Sequence, residues 1–174
     1  WAVSAMCFVS VMNGFGYRTP DTVQKVLFSG EVLPIKHYRV WKKYLPQAMF
    51  VNLYGPTEVT CNCTYYVLDP KCEYELTDVI PIGKAFPNET VFLLDETDQQ
   101  VTEAGKAGEI CVSSSELALG YYNAPDKTAQ VFVQNPLNHR YDERIYRTGD
   151  LAKYDAQGNL VYISRKDFQI KHLG

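Results

Sequence analysis

The chain has 174 residues, an ordinary apolar share of 46% and a formal net charge of −3, enough for one domain or two small subdomains around a real core. This is neither a disordered nor a fibrous composition, and no basic stripe marks a nucleic-acid surface or an electrostatic membrane anchor. Small-molecule chemistry is the class that these numbers favour. Five cysteines, Cys7, Cys61, Cys63, Cys72 and Cys111, are an odd number at spacings that make no zinc ligand set. They read as reduced thiols in a cytoplasmic protein. Two sequons, at Asn62 and Asn88, are chance-level matches to a loose pattern.

Residues 1–12 are apolar all round a helical wheel, which predicts a helix buried on most sides. The segment is too short to span a bilayer, and it lacks the basic start and cleavage site of a signal peptide. Asn13 to Gly16 end it. Val23, Val26, Leu27 and Phe28 then read as a short buried strand stopping at Ser29, Gly30 and Glu31. Pro34 suits the first turn of a following helix, and Ile35, Tyr38, Trp41, Tyr44 and Leu45 recur at helical spacing until Pro46. Ala48 to Val51 is a second strand, halted by Gly55 and Pro56. Strand, helix and strand make a βαβ unit, for which parallel pairing and a right-handed crossover are the default. Both strand ends therefore lie on one edge of a sheet, where α/β proteins bind ligands.

Cys61, Cys63 and Tyr65 alternate with polar neighbours, as in a strand with one face toward the cleft. A polar link at residues 69–78 sets a boundary, giving an α/β unit over 1–79. Beyond it, apolar runs at 91–94, 109–112, 144–146, 151–154 and 160–163 are separated by turns, as in an antiparallel sheet or small barrel over 80–163. Turn residues fill 95–98 and 155–159, and residues 125–131 read as one short helix.

The sharpest stretch is Tyr54-Gly55-Pro56-Thr57-Glu58. It offers an aromatic face, backbone N–H groups near Gly55, a hydroxyl and a carboxylate, the groups that an ATP·Mg²⁺ site needs. On these residues alone the turn is equally an ordinary strand exit with a Tyr in the core. Four more blocks follow in order: Gly108-Glu109-Ile110, then Gly120-Tyr121-Tyr122-Asn123-Ala124-Pro125, Tyr146-Arg147-Thr148-Gly149-Asp150-Leu151, and Arg165-Lys166-Asp167-Phe168-Gln169-Ile170-Lys171. Together the five resemble the amino-acid-activating branch of the adenylate-forming, AMP-binding enzymes. The resemblance extends to adenylation domains of nonribosomal peptide synthetases. It is closer to the D-alanyl carrier protein ligases, toward which Phe28-Ser29-Gly30-Glu31-Val32-Leu33-Pro34 and the block ending at Lys171 lean.

The resemblance implies an α/β fragment of the N-terminal region of such an enzyme. Its βαβ part would belong to a mostly parallel sheet, followed by a small antiparallel, barrel-like subdomain and a hinge at 164–174. It implies ATP and Mg²⁺ as cofactors, and an amino acid and a phosphopantetheinylated carrier protein as partners. Tyr54 would stack on adenine, a contact that costs little side-chain entropy. Gly30, Glu31 and Gly55 would border the nucleotide, Thr57 would bind an α-phosphate oxygen, and Glu58 would hold the metal. Asp150 would take the two ribose hydroxyls, Arg165 would touch ribose or phosphate, and Asp167 would be the hinge of a lid. Leu27, Ser29, Leu53, Cys61 and Asn62 would line the substrate pocket, with Cys7 a further candidate.

Ser164 departs from the Gly that usually precedes Arg165. The family's phosphate loop, its amino-group Asp and its catalytic Lys find no match in these residues, which implies a catalytically inactive piece of a longer ligase. His37, His139 and His172 match no catalytic role and read as surface or capping residues. An acyl-CoA or aryl-CoA ligase shares the nucleotide blocks, and a nucleotide-binding module without catalysis is the alternative from another class.

Overall fold

The computed structural model describes residues 1–16 and 18–166. The hinge position Asp167 and His172 lie outside them. Helix α1 (Val3–Val11) leads to strand β1 (Lys25–Phe28), helix α2 (Ile35–Tyr44) and strand β2 (Met49–Tyr54). β1 and β2 pair in parallel, Val26 beside Phe50 and Phe28 beside Asn52, so the βαβ unit forms as expected. α2 forms because Ile35, Tyr38 and Trp41 put one apolar stripe on the sheet, while Lys42 and Lys43 complement the dipole at its last turn. Phe28 is 1% exposed in this core, and burying such a ring contributes about 2–3 kcal/mol.

Three local expectations are corrected. α1 is not buried on most sides. Only Val3 and Met6 are buried, whereas Phe8 is 65% and Val11 72% exposed. One flank meets α2, where the Trp41 indole donates to the Met6 carbonyl at 3.0 Å. No described residue covers the opposite flank. His37 is buried rather than superficial; burial and then Lys36 lower its pKa, which keeps it neutral. Finally, β2 runs on through Tyr54, and strand β3 (Thr64–Val67) begins only after Cys61 and Asn62. Thr60 and Cys61 have positive φ, 58° and 93°, so these residues form a turn, not an alternating strand.

β3 returns antiparallel to β2, and strand β4 (Lys84–Ala85) adds antiparallel to β3. The connection from β2 to β3 is too short for a crossover. Among the described residues this four-stranded sheet is therefore mixed, with one parallel pair. β4 also carries the first sheet past the boundary drawn at residue 79.

A second sheet has the order β10, β9, β7, β5, β6, all antiparallel. These are β5 (Thr90–Leu94), β6 (Gln100–Val101), β7 (Ala107–Ser113), β9 (Arg144–Tyr154) and β10 (Leu160–Arg165). β8 (Phe132–Gln134) pairs with β9 after helix α3 (Pro125–Val131). This is the sheet of the two expected forms; it does not close into a barrel, because β10 and β6 remain its ends. The runs at 144–146 and 151–154 merge into the single strand β9, which bulges against β7 near Glu109. The turns are Asp-led: Asp95 accepts from the Thr97 and Gln99 amides, and Asp155 from those of Gln157 and Asn159. The two sheets join where the Ile82 and Gly83 amides donate to the Leu160 carbonyl, and where Tyr54 enters the core of the second sheet beside Ile82, Tyr146 and Leu160.

Candidate functional site

Parallel pairing, which ends with Phe28 beside Asn52, sets the ends of β1 and β2 on one edge, so that Ser29 and Gly30 follow one strand and Gly55 to Glu58 the other. Gly55 is required there by space. A Cβ on it would lie 2.4 Å from the Asn62 Cα and 2.6 Å from the Cys61 carbonyl oxygen, because the chain folds straight back and the Cys63 amide donates to the Tyr54 carbonyl. A one-turn 3₁₀ helix, Thr57–Val59, follows. Thr57 is exposed and Glu58 half-buried.

Tyr54 turns its ring into the second core and donates its hydroxyl to Asp150 Oδ2 at 2.6 Å. Burial first, then Asp150, hold its pKa well above the ordinary phenol value, so it remains a donor. Asp150 is 1% exposed. Its other oxygen meets Arg165 Nη1 at 3.3 Å, and its amide donates to Thr148 Oγ1. Tyr54, Asp150 and Arg165, far apart in sequence, thus form one hydrogen-bonded line. Both carboxylate oxygens already have protein partners, and each has a further lone pair for a ligand hydroxyl. Asp150 is enclosed, while the Arg165 side chain beside it is partly exposed.

Glu58 Oε1 accepts the Tyr121 hydroxyl at 2.5 Å. Tyr121 is joined by Tyr146, whose phenol pKa is raised by burial and by the hydrogen bond to Tyr121. Among the described residues no cluster of three or more His, Cys, Asp or Glu could hold a metal ion. A divalent cation here would rely on the Glu58 carboxylate together with phosphate and water oxygens. That suits magnesium, which usually takes one or two carboxylates and substrate phosphates.

The pocket residues divide by sheet face. Leu27 and Leu53 lie on the face opposite Val26, Phe28, Phe50 and Tyr54. Leu27 is exposed and Leu53 half-buried, Ser29 follows β1, and Cys61 and Asn62 sit in the turn packed on Gly55. Asn62 Nδ2 donates to Cys61 Sγ at 3.3 Å, and its buried Oδ1 accepts no hydrogen bond. Cys7 is half-buried on α1, its pKa raised by burial and then by Glu31. Gly30 is exposed and Glu31 half-buried at the mouth of this edge.

Two contributors carried no role in the sequence reading. One is Tyr121, visible only as a letter in its block. The other is Glu109, 5% exposed, which accepts from Arg147 Nε, Lys166 Nζ and the Gly149 amide, each at 3.0 Å. Gly149 has φ 72°, so this clamp holds a left-handed residue within β9 immediately before Asp150.

The chain is similar to known proteins over most of its length. The family model for AMP-binding enzyme matches residues 3–122. Surfactin synthase subunit 1 of Bacillus subtilis (strain 168) is 39% identical over 154 residues, which cover 88% of this chain and 4% of that protein. Chondramide synthase cmdD of Chondromyces crocatus is 42% identical over 156 residues, again 88% of this chain and 4% of the relative. The structure of PA1221, an NRPS protein containing adenylation and PCP domains, superposes with a TM-score of 0.86 at 34% identity, covering 100% of this chain and 34% of that one. IdnL1 gives 0.85 at 32% identity over 98% of this chain and 35% of its own. The chain therefore spans a small fraction of the synthetases and about a third of the solved structures. With the family model matched over residues 3–122 and relatives and solved structures matched over 88% and 100% of its length, the chain belongs to the AMP-binding enzyme family, as part of an adenylation domain of the nonribosomal peptide synthetase kind.

Proposed function

We propose that the protein carrying this chain uses ATP to activate an amino-acid carboxylate, releasing pyrophosphate, and passes the aminoacyl group to the phosphopantetheine thiol of a carrier protein. The observation that carries the reading is the line Tyr54, Asp150, Arg165 beside the Thr57–Glu58 turn. It brings a phenol, a buried carboxylate and a cation into one line, which supports reading Asp150 as a ribose acceptor and Glu58 as a metal carboxylate. Asp150 would receive the ribose hydroxyls on its remaining lone pairs, and Arg165 would turn toward ribose or phosphate. Thr57 would donate to an α-phosphate oxygen. Magnesium, when bound, would neutralise phosphate charge as the substrate carboxylate attacks phosphorus.

Leu27, Ser29, Leu53, Cys61 and Asn62 would line the substrate pocket, and their small to medium, mostly apolar side chains favour a small neutral amino acid such as D-alanine. The unpaired Asn62 Oδ1 is an acceptor that a substrate N–H could meet. Carrier transfer is supported by PA1221, whose structure pairs adenylation with a PCP domain. Asp167 would serve as the hinge of the lid.

ATP–pyrophosphate exchange by the full-length protein over an amino-acid panel tests the first half. The expected result is exchange dependent on a small neutral amino acid; exchange independent of any amino acid would sink the proposal. Offering holo carrier protein against coenzyme A tests the second half. Preference for coenzyme A would replace the carrier reading with an acyl-CoA ligase.

A further inference from the structure

We infer that Tyr121 is a positioning residue that aims the Glu58 carboxylate. The inference rests on the reading of Glu58 as the metal carboxylate and adds the group that orients it. Glu58 stands on a one-turn helix at the surface, where an unrestrained side chain would sample several rotamers. Instead, three hydrogen bonds stitch this turn to the loop before α3. The Ala118 amide donates to the Glu58 carbonyl at 2.8 Å, Thr60 Oγ1 donates to the Glu116 carbonyl at 2.7 Å, and the Tyr121 hydroxyl donates to Glu58 Oε1. Of the three, the last acts on the carboxylate itself, and Tyr146 behind Tyr121 also feels that carboxylate.

Tyr121 is in turn well held. Its amide donates to Thr128 Oγ1 at 2.9 Å, its ring sits edge-on to Phe132 at 6.0 Å, and Lys127 Nζ lies 4.5 Å above the ring. The hydroxyl is thus a fixed donor, anchored on α3 and β8, that engages one carboxylate oxygen and sets the direction of the other. Such pinning removes rotamer freedom before a ligand arrives, so less order has to be gained on binding.

The test measures Mn²⁺ and ATP affinity on the full-length protein, by calorimetry with and without metal and by the Mn²⁺ spin-resonance signal. Wild type is compared with Tyr121→Phe, Glu58→Gln and the double variant. Phe keeps the ring, its Phe132 contact and the Lys127 contact, so the loop stays folded. Tyr121→Phe should leave metal-free ATP affinity within twofold and weaken the metal-dependent increment roughly tenfold. Glu58→Gln should abolish that increment, and the double variant should lose nothing more. If Glu58→Gln abolishes the increment while Tyr121→Phe matches wild type, the positioning role is wrong. Additive losses in the double variant also overturn it, since Tyr121 would then act elsewhere. An increment that survives Glu58→Gln refutes the metal assignment beneath it.

Discussion

Gly55 is hemmed in by backbone on the side where any other residue would place a Cβ, within 2.4 Å of Asn62 and 2.6 Å of Cys61. Backbone cannot swing aside as a flexible side chain can. Gly55→Ala should therefore push the Cys61–Asn62 turn away and destabilise the fold by about 3 kcal/mol or more, read as a loss of thermal stability; an unchanged midpoint would show that the turn yields freely. At this scale the sequence was informative about residue type and less so about partners. Tyr54 and Asp150 stood out in their blocks, but their bond joins residues 96 positions apart, and nothing in either block states that pairing. The pairing also means that Tyr54, its ring buried in the second core, donates to the carboxylate proposed to hold ribose.

Among the elements, β9 departs most from what local pattern suggests. Two apolar runs flanking Gly149 read as separate strands, yet one strand continues through the glycine. Glu109 explains the continuity. Its carboxylate receives the Gly149 amide, and Arg147 and Lys166 close around it. Burial alone would lower the Arg147 pKa, but Asp98 and Glu109 outweigh it and raise the value, so the guanidinium stays charged. A carboxylate inside an apolar run looks like a solvent-facing strand residue, which is why its role was illegible before the register was known. α1 misled in the opposite direction: its all-round apolarity signals partners, and the described residues supply only one flank. Replacing Glu109 with Gln leaves Lys166 without its carboxylate partner and Arg147 with Asp98 alone. It should cost about 3 kcal/mol, a fall in melting temperature of roughly 6–12 °C for a chain of this size. A change below about 1 °C would mean that Glu109 is dispensable to the β7–β9–β10 junction.

Across the described residues, the two sheets join along a seam, and the proposed nucleotide grip sits on it: Tyr54 comes from the first sheet, Asp150 and Arg165 from the second. The order of the five sequence blocks made the family and the α/β-then-β architecture readable. What the blocks could not convey was that Asp150 would be closed in by Tyr54 and Arg165, because burial depends on how the sheets pack. Nucleotide is proposed to bind at that seam. The most direct test is the affinity of the full-length protein for ATP, measured calorimetrically in wild type and in Asp150→Asn, a substitution that keeps the shape and an acceptor for the Tyr54 hydroxyl. Loss of charge-assisted bonds to two ribose hydroxyls should weaken binding about 10- to 100-fold with the fold intact. An Asp150→Asn protein that is folded and binds ATP as tightly as wild type would contradict the account.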